Sequence, residues 1–261
     1  MSLVLEFCRP RLISADHIAW SSEAAGTLAG SLLIVGGGSP LYRFWAGVFL
    51  FAALVLDRAA SDQREQSGIA VSTETNIWRA TGIGVTAVLI VFGGIITAAL
   101  AAGSAWFCLA AIAAGVSAAV QMTAYDGAWR QYAHAAGAGI PEQGDRLFEL
   151  SLRRHDAELR EHRNEARFWR AYAFFRLAQE SVVPENPSGS ADAFWHYNHW
   201  RMALWTLFAP ATICVFLSAS LALSAFWPAA LDAYFLLLAV AGNLLLMLLL
   251  TLGWKTQPVG A

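Results

Sequence analysis

The sequence predicts an all-α, polytopic membrane protein with six transmembrane helices and a helical cytoplasmic insertion. Of its 261 residues 57% are apolar and only 14% are charged, and the mean hydropathy is +0.49, whereas a soluble domain is about 25% charged. Residues 80–125, 202–231 and 233–254 contain no Asp, Glu, Lys or Arg, and one membrane-spanning helix needs roughly 20 such residues. Helices are expected because backbone groups in hydrocarbon must bond within their own segment.

The composition excludes several other classes of protein. A secreted disulfide scaffold, a coiled coil, a disordered tail and a nucleic-acid binder with a basic face are all incompatible with these apolar runs and with a net charge of −2. The three cysteines, Cys8, Cys108 and Cys214, are far apart and are interpreted as packing residues. The N-terminal stretch places Arg9 and Arg11 after its apolar residues, so we expect no signal peptide.

The six spans are placed by the apolar runs and by the turn residues between them. The first ends in the Gly-Gly-Gly-Ser-Pro turn of residues 36–40, and the second stops at Asp57, where a polar segment of residues 57–79 begins. Gly103 and Ser104 separate the third and fourth spans, and Pro228 separates the last two. The predicted spans are approximately Ile18–Gly37, Leu41–Leu56, Thr81–Ala101, Ala105–Ala124, Met202–Ala225 and Ala233–Trp254.

The positions of the basic residues predict the topology. Loops that carry Arg and Lys stay on the cytoplasmic side, and nearly all the basic residues fall on one side of the six spans, with Arg43 as the exception. We therefore predict a multi-pass protein of the inner (cytoplasmic) membrane with both termini in the cytoplasm. The domain prediction is residues 1–125 for spans one to four, 126–200 for the cytoplasmic insertion and 201–261 for the last two spans.

The insertion is predicted to contain one long helix from Leu147 to Val182. Aromatic side chains recur on one face of its second half at i, i+4 and i+7, with arginines among them. This pattern favours a helix that lies in the lipid headgroup layer or docks on a partner, although the same face would also suit packing on the protein's own spans. The predicted interface residues are Phe168, Tyr172, Phe175, Arg167, Arg170 and Arg176.

The polar segment after the second span is the natural place to look for chemistry. It offers the candidate catalytic or metal-binding acids Asp57, Asp62, Glu65 and Glu74, and carboxylates are the ligands that divalent cations prefer. Asp57 is the candidate metal ligand because it is predicted at the membrane boundary, where it would be partly desolvated. An Asp at the end of a span is more often a solvated cap.

Two other polar groups are weaker candidates. His196 and His199 are three residues apart but have no Cys or carboxylate set at ligand spacing, and the neighbouring Trp195 and Trp200 indicate an interfacial belt. Asp126 opens a fragment of a transferase-like motif whose first acid is replaced. We interpret Asp126 as the polar end of the fourth span.

The predicted topology, with a cytoplasmic segment that opens in Asp57 directly after the second span, resembles the CDP-alcohol phosphatidyltransferase family over most of the chain. Residues 13–17, 117–132 and 205–210 resemble span boundaries of that family. The resemblance implies a transferase of phospholipid biosynthesis, commonly a dimer, whose segment D-x2-D-G-x2-A-R-x8-G-x3-D-x3-D holds divalent metal with four acids.

This chain departs from the family motif almost everywhere after Asp57. The second acid falls on Ala60, the glycine on Ser61, and the last two acids on Trp78 and Gly82. With one acid the usual two-metal chemistry lacks its ligands. We therefore expect no cofactor, and Mg or Mn only if the site has been remodelled.

Three hypotheses follow from the sequence. The leading one is a non-catalytic or regulatory subunit, a pseudoenzyme, that forms a homodimer or a heterodimer with a related active transferase and contacts membrane lipid but no nucleic acid. The second is an active phosphatidyltransferase with a remodelled metal site built from Asp57, Asp62, Glu65 and Glu74. The third is a small membrane pore or transporter component, for which Glu23 within the first span is the best support.

Overall fold

A computed structural model describes residues 15–36, 39–66, 91–100, 103–135, 143–163, 165–167, 169–170, 172–174 and 191–253, and within these ranges the chain is helical with no strand. The all-α prediction is thereby confirmed for this part of the chain. The helices are α1 (Ala15–Gly36), α2 (Pro40–Gln66), α3 (Val91–Leu100), α4 (Ala105–Ala135), α5 (Gln143–Leu159), α6 (within 163–174), α7 (Ala191–Trp205), α8 (Pro210–Leu223), α9 (Ala229–Leu236) and α10 (Asn243–Leu252). A 3-10 turn, Thr206–Phe208, follows α7, and a π-helical segment, Leu237–Gly242, joins α9 to α10.

The apolar helices that the structure describes indicate an integral membrane protein. Four stretches are long and apolar enough to cross a bilayer: His17–Gly36, Pro40–Gln63, Ala105–Ala133 and Ala229–Leu252. Phe194–Phe208 and Pro210–Leu223 supply a fifth if they form one broken span. Of the predicted third span the structure describes only the shorter apolar helix α3, so the count of six remains a prediction.

Two helices continue well beyond the apolar runs that predicted them. α2 was expected to stop at Asp57 and reaches Gln66, and α4 was expected to stop near Ala124 and reaches Ala135. A charged residue ends the stretch that lipid can cover, but it does not interrupt the backbone hydrogen bonds of the helix. Ion pairs at i, i+4 span both extensions, Arg58 with Asp62 and Arg130 with Asp126, each at 3.1 Å.

The first compact unit, residues 1–118 and 210–241, is held together by small residues at helix contacts. The Ser22 hydroxyl on α1 donates to the Ala53 carbonyl on α2 at 2.8 Å. On the other side of α2, Gly47 lies so near α8 that an added Cβ would be 2.5 Å from the Ser218 carbonyl oxygen. Such close approach is typical of transmembrane packing, where van der Waals contact drives association.

Three helical hairpins of this unit have their turns at one end. Phe44 near the start of α2 and Phe226 in the α8–α9 turn have ring centroids 6.2 Å apart. Phe107 near the start of α4 and Phe235 in α9 are 5.5 Å apart. Exposed aromatic side chains, the pattern of a membrane–water boundary, surround this end and include Trp45, Trp106, Phe226 and Trp227.

The second compact unit, residues 119–209 and 242–261, has its main core between the end of α4, α7 and α10. Large side chains of α7 and the 3-10 turn pack on alanines of α4, and leucines of α10 complete the contact. The cluster consists of Ala124, Ala128, Met202, Trp205, Phe208, Leu246 and Leu249.

The described residues within 143–174 form a helical hairpin, whereas the sequence predicted a single long helix from Leu147 to Val182. α5 ends with Glu161 in the left-handed region at φ 59°, and the amides of His162 and Glu161 donate to the carbonyls of Ala157 (3.0 Å) and Glu158 (3.1 Å). This is a Schellman motif. The chain reverses because the hairpin buries Trp169, which is 1% exposed, against Ala157 and Ala166, and a straight helix would leave that ring in water.

Candidate functional site

Three acids of the predicted site, Asp57, Asp62 and Glu65, lie along one uninterrupted helix, α2. Asp57 is exposed on α2, whereas Asp62 is buried and its carboxylate accepts from the Arg58 guanidinium at 3.1 Å. Five residues of α-helix separate the two acids by roughly 140° around the axis. The two carboxylates therefore do not converge on a single point, and the charge of Asp62 is already balanced by Arg58.

Ala60 stands where the family motif has its second acid, and its side chain faces the inside of the protein. It is 1% exposed and belongs to a packed cluster with Ile18 and Ala19 of α1 and its neighbour Ala59. A carboxylate at this position would be buried in an apolar contact, at a cost that only a metal or a partner charge offsets. Ala60 is part of the contact between α1 and α2.

The side chains of the remaining candidate acids, Glu65 and Glu74, lie outside the part of the chain that the structure describes. Glu74 is beyond the described residues, and for Glu65 the structure gives the helical backbone but not the side chain. Within the described ranges no three His, Cys, Asp or Glu side chains are grouped so that they could hold a metal ion. Asp126, the weaker transferase-like candidate, is ion-paired with Arg130 one turn along α4.

The exposed side chains near the middle of α7 are aromatic residues and histidines, namely Trp195, His196, Tyr197, His199 and Trp200. Trp195 stacks on His199, with centroids 5.4 Å apart and planes 25° apart, and the rings of His196 and His199 are 6.4 Å apart. Both histidines are exposed, and Nδ1 of His199 lies 2.9 Å from the His196 carbonyl oxygen. The arrangement matches the amphipathic belt expected at a membrane surface.

Arg201 links α7 to the end of the last helix, a role that the sequence analysis missed. Its guanidinium donates to the carbonyl of Leu252 at 3.3 Å and also to that of Gly253, and it lies 5.2 Å from the ring of Trp200. Carbonyls at a helix C-terminus lack intrahelical donors, and a cation there also favours the helix dipole. Only the fold brings residues 52 positions apart together, so no local signal marks this contact.

A second missed feature is a hydrogen bond between the buried amide of Gln121 and the half-buried amide of Asn243. Gln121 Nε2 donates to Asn243 Oδ1 at 3.0 Å, and the preceding Gly242 is so close that an added Cβ would lie 2.6 Å from Gln121 Nε2. Asn243 directly follows the π-helical segment of the last span. A signal was available, because amides in charge-free apolar runs are rare and usually have a partner.

The predicted aromatic–arginine interface is only partly described. Tyr172 is half-buried and packs within the hairpin, 6.1 Å from the ring of Trp169. Arg167 and Arg170 are exposed, and Arg170 is 3.8 Å from the Glu158 carboxylate. Phe168, Phe175 and Arg176 lie outside the described residues, so the stripe as a whole remains a prediction.

We compared the chain with protein-family models, with curated proteins and with solved structures, and none of the three comparisons found a match.

Proposed function

We propose that the chain is a non-catalytic membrane subunit, similar to the CDP-alcohol phosphatidyltransferases, that acts in phospholipid biosynthesis beside an active homologue. The packing of Ala60 carries this proposal. Where transfer chemistry needs a carboxylate, the chain has a methyl group in contact with Ile18. The pairing of Asp62 with Arg58 supports the same conclusion, because a carboxylate engaged by a guanidinium is a poor metal ligand.

The proposal is tested with the purified full-length protein in lipid vesicles. We expect no CMP release from CDP-diacylglycerol, with an alcohol acceptor present, in either Mg²⁺ or Mn²⁺. Purification from the native membrane is expected to bring along a homologue that has the full four-acid motif. Metal-dependent CMP release that is lost in Asp57→Ala and kept in the control Asp232→Ala would instead establish the remodelled enzyme.

A second candidate function, a small pore or transporter component, is favoured by the Gln121–Asn243 contact. Polar groups inside a membrane bundle often mark a solute path, and π-helical segments often occur at functional sites. The reconstituted protein would then produce a measurable solute flux across the vesicle membrane, and Asn243→Leu would abolish that flux. A solute flux no faster than that of protein-free vesicles would exclude this function.

A further inference from the structure

Among the side chains that the structure describes in the hairpin of α5 and α6, large apolar ones are exposed near the open end and charged ones around the turn. Ala157 and Ala166 meet near the turn, and further along the Arg153 guanidinium lies 5.5 Å from the ring centroid of Trp169. Phe148 is five residues before Arg153 and Phe174 is five residues after Trp169. Both phenylalanines are therefore at the open end of the hairpin.

The exposed side chains that the structure describes differ between the two ends. At the open end Phe148 is 65% exposed, Leu152 is 51% exposed and Phe174 is 75% exposed. Phe148 and Leu152 are one helical turn apart and share a face of α5. Around the turn the exposed side chains are mostly charged or ionisable, namely Asp156, Glu158, Arg160, Glu161, His162 and Arg163, and Leu159 is the large apolar exception at 70%.

The open end is also the end that the chain ties to the membrane. α4 contains the candidate span Ala105–Ala133 and ends at Ala135, and α5 begins at Gln143. Eight Cα-to-Cα steps extend at most roughly 29 Å, so the start of α5 stays within that distance of the end of α4. The Schellman turn lies about 24 Å further along α5.

We propose that the open end of the hairpin, Phe148, Leu152 and Phe174, inserts into the phospholipid headgroup layer of the membrane that the chain's own helices cross. Phe and Leu partition into this layer, whereas the ionisable side chains around the turn favour water. The short connection between α4 and α5 keeps the open end of the hairpin close to the membrane. The charged side chains around the turn favour an orientation in which the turn points away from the lipid. This inference does not depend on the proposed function.

The experiment measures the lipid exposure of single labelled positions in the full chain. Cys8, Cys108 and Cys214 are replaced by Ser, and one cysteine is introduced in each of three variants, Phe148→Cys, Phe174→Cys and the matched control Leu159→Cys. Each is labelled with a small environment-sensitive fluorophore and reconstituted in phosphatidylcholine vesicles. A nitroxide on the lipid near the headgroup and aqueous iodide then serve as quenchers, and size-exclusion profiles verify that the variants fold.

At positions 148 and 174 we expect the nitroxide lipid to quench at least twice as strongly as at position 159, with iodide showing the opposite order. Strong iodide quenching at 148 and 174, equal to that at 159, would overturn the proposal because the open end would then lie in water. Protection from both quenchers would also overturn it and would indicate a covering protein or a second copy. Equal lipid quenching at all three positions would also overturn the proposal, because the turn would then lie as deep in the headgroup layer as the open end.

Discussion

Single glycines decide how closely helices approach in the first unit. An added Cβ at Gly94 on α3 would lie 2.8 Å from the Gly30 carbonyl oxygen and 2.9 Å from the Leu33 Cβ on α1. At the adjacent Gly93 an added Cβ meets nothing within 4 Å. We therefore expect Gly93 and Gly94 to contribute differently to stability, although both are glycines in the same helix.

Gly94→Ala is expected to lower the free energy of unfolding by roughly 1–3 kcal/mol, because the helices must move apart or shift to admit the methyl group. The control Gly93→Ala is expected to leave stability unchanged or to raise it by up to about 1 kcal/mol, since alanine favours helix over glycine. Unfolding of the purified protein in mixed micelles measures both. Equal effects at the two positions would contradict the observed contact.

Ala60→Asp tests the packing that supports a non-catalytic site. The carboxylate would be buried against Ile18 and Ala19, and we expect the free energy of unfolding to fall by about 1–3 kcal/mol, the scale for burying a polar group without a hydrogen-bond partner. Ser61→Asp, at an exposed position, is the matched control and should change stability by less than about 0.5 kcal/mol. A stable Ala60→Asp variant would show that the position accommodates an acid.

Helix ends follow hydrogen bonding and packing rather than the ends of apolar runs. α2 passes Asp57 without interruption because Ala59 and Ala60 still pack on α1. α5 ends in a stretch of strong helix formers, since the Schellman bonds and the burial of Trp169 stabilise a reversal there. The turn leaves Glu161 in a backbone conformation that residues other than glycine rarely adopt.

Glu161→Gly is expected to stabilise the hairpin by about 1 kcal/mol, because glycine adopts positive φ without the steric cost of a Cβ. Glu161→Val is expected to destabilise it, since a β-branched residue is a genuine outlier at positive φ. Hydrogen exchange of the α5 and α6 amides reports local opening in the intact protein. Slower exchange in the valine variant than in the glycine variant would contradict the turn geometry.

At the scale of the whole molecule, the aromatic side chains at the hairpin turns of the first unit indicate a boundary with water. The turns between α1 and α2, α3 and α4, and α8 and α9 share one end of this unit, where Trp45, Trp106 and Trp227 are exposed. This arrangement is compatible with the topology that the arginines predict, in which these turns face away from the cytoplasm. The sidedness itself remains a prediction.

Single cysteines at Phe226 and Arg163, in a background without native cysteines, test that sidedness. A membrane-impermeant maleimide added to right-side-out vesicles is expected to label Phe226→Cys and to spare Arg163→Cys. Inside-out vesicles should give the opposite result, and detergent should expose both. The reverse pattern in intact vesicles would place the insertion outside the cytoplasm.

The sequence by itself determined the fold class and the main membrane helices. Long charge-free runs admit only segments that satisfy their own backbone hydrogen bonds, so helices at α4 and in the 229–252 stretch were predictable from composition. The exposure of Trp195 and Trp200 was likewise predictable, because their position beside an apolar run is a local property. The sequence also showed that Ala60 falls on the second acid of the family motif that the chain resembles.

Only the tertiary structure decided what the individual polar and small residues contact. The bonds of Arg201 to the end of α10 and of Gln121 to Asn243 join positions 51 or more residues apart, and no local pattern encodes such a pairing. The hairpin in place of a long helix has the same origin, since the free energy of burying Trp169 is realised only after the chain reverses. Gly93 and Gly94 differ for this reason too: a helix presents adjacent residues about 100° apart, and the neighbouring helix touches only one of them.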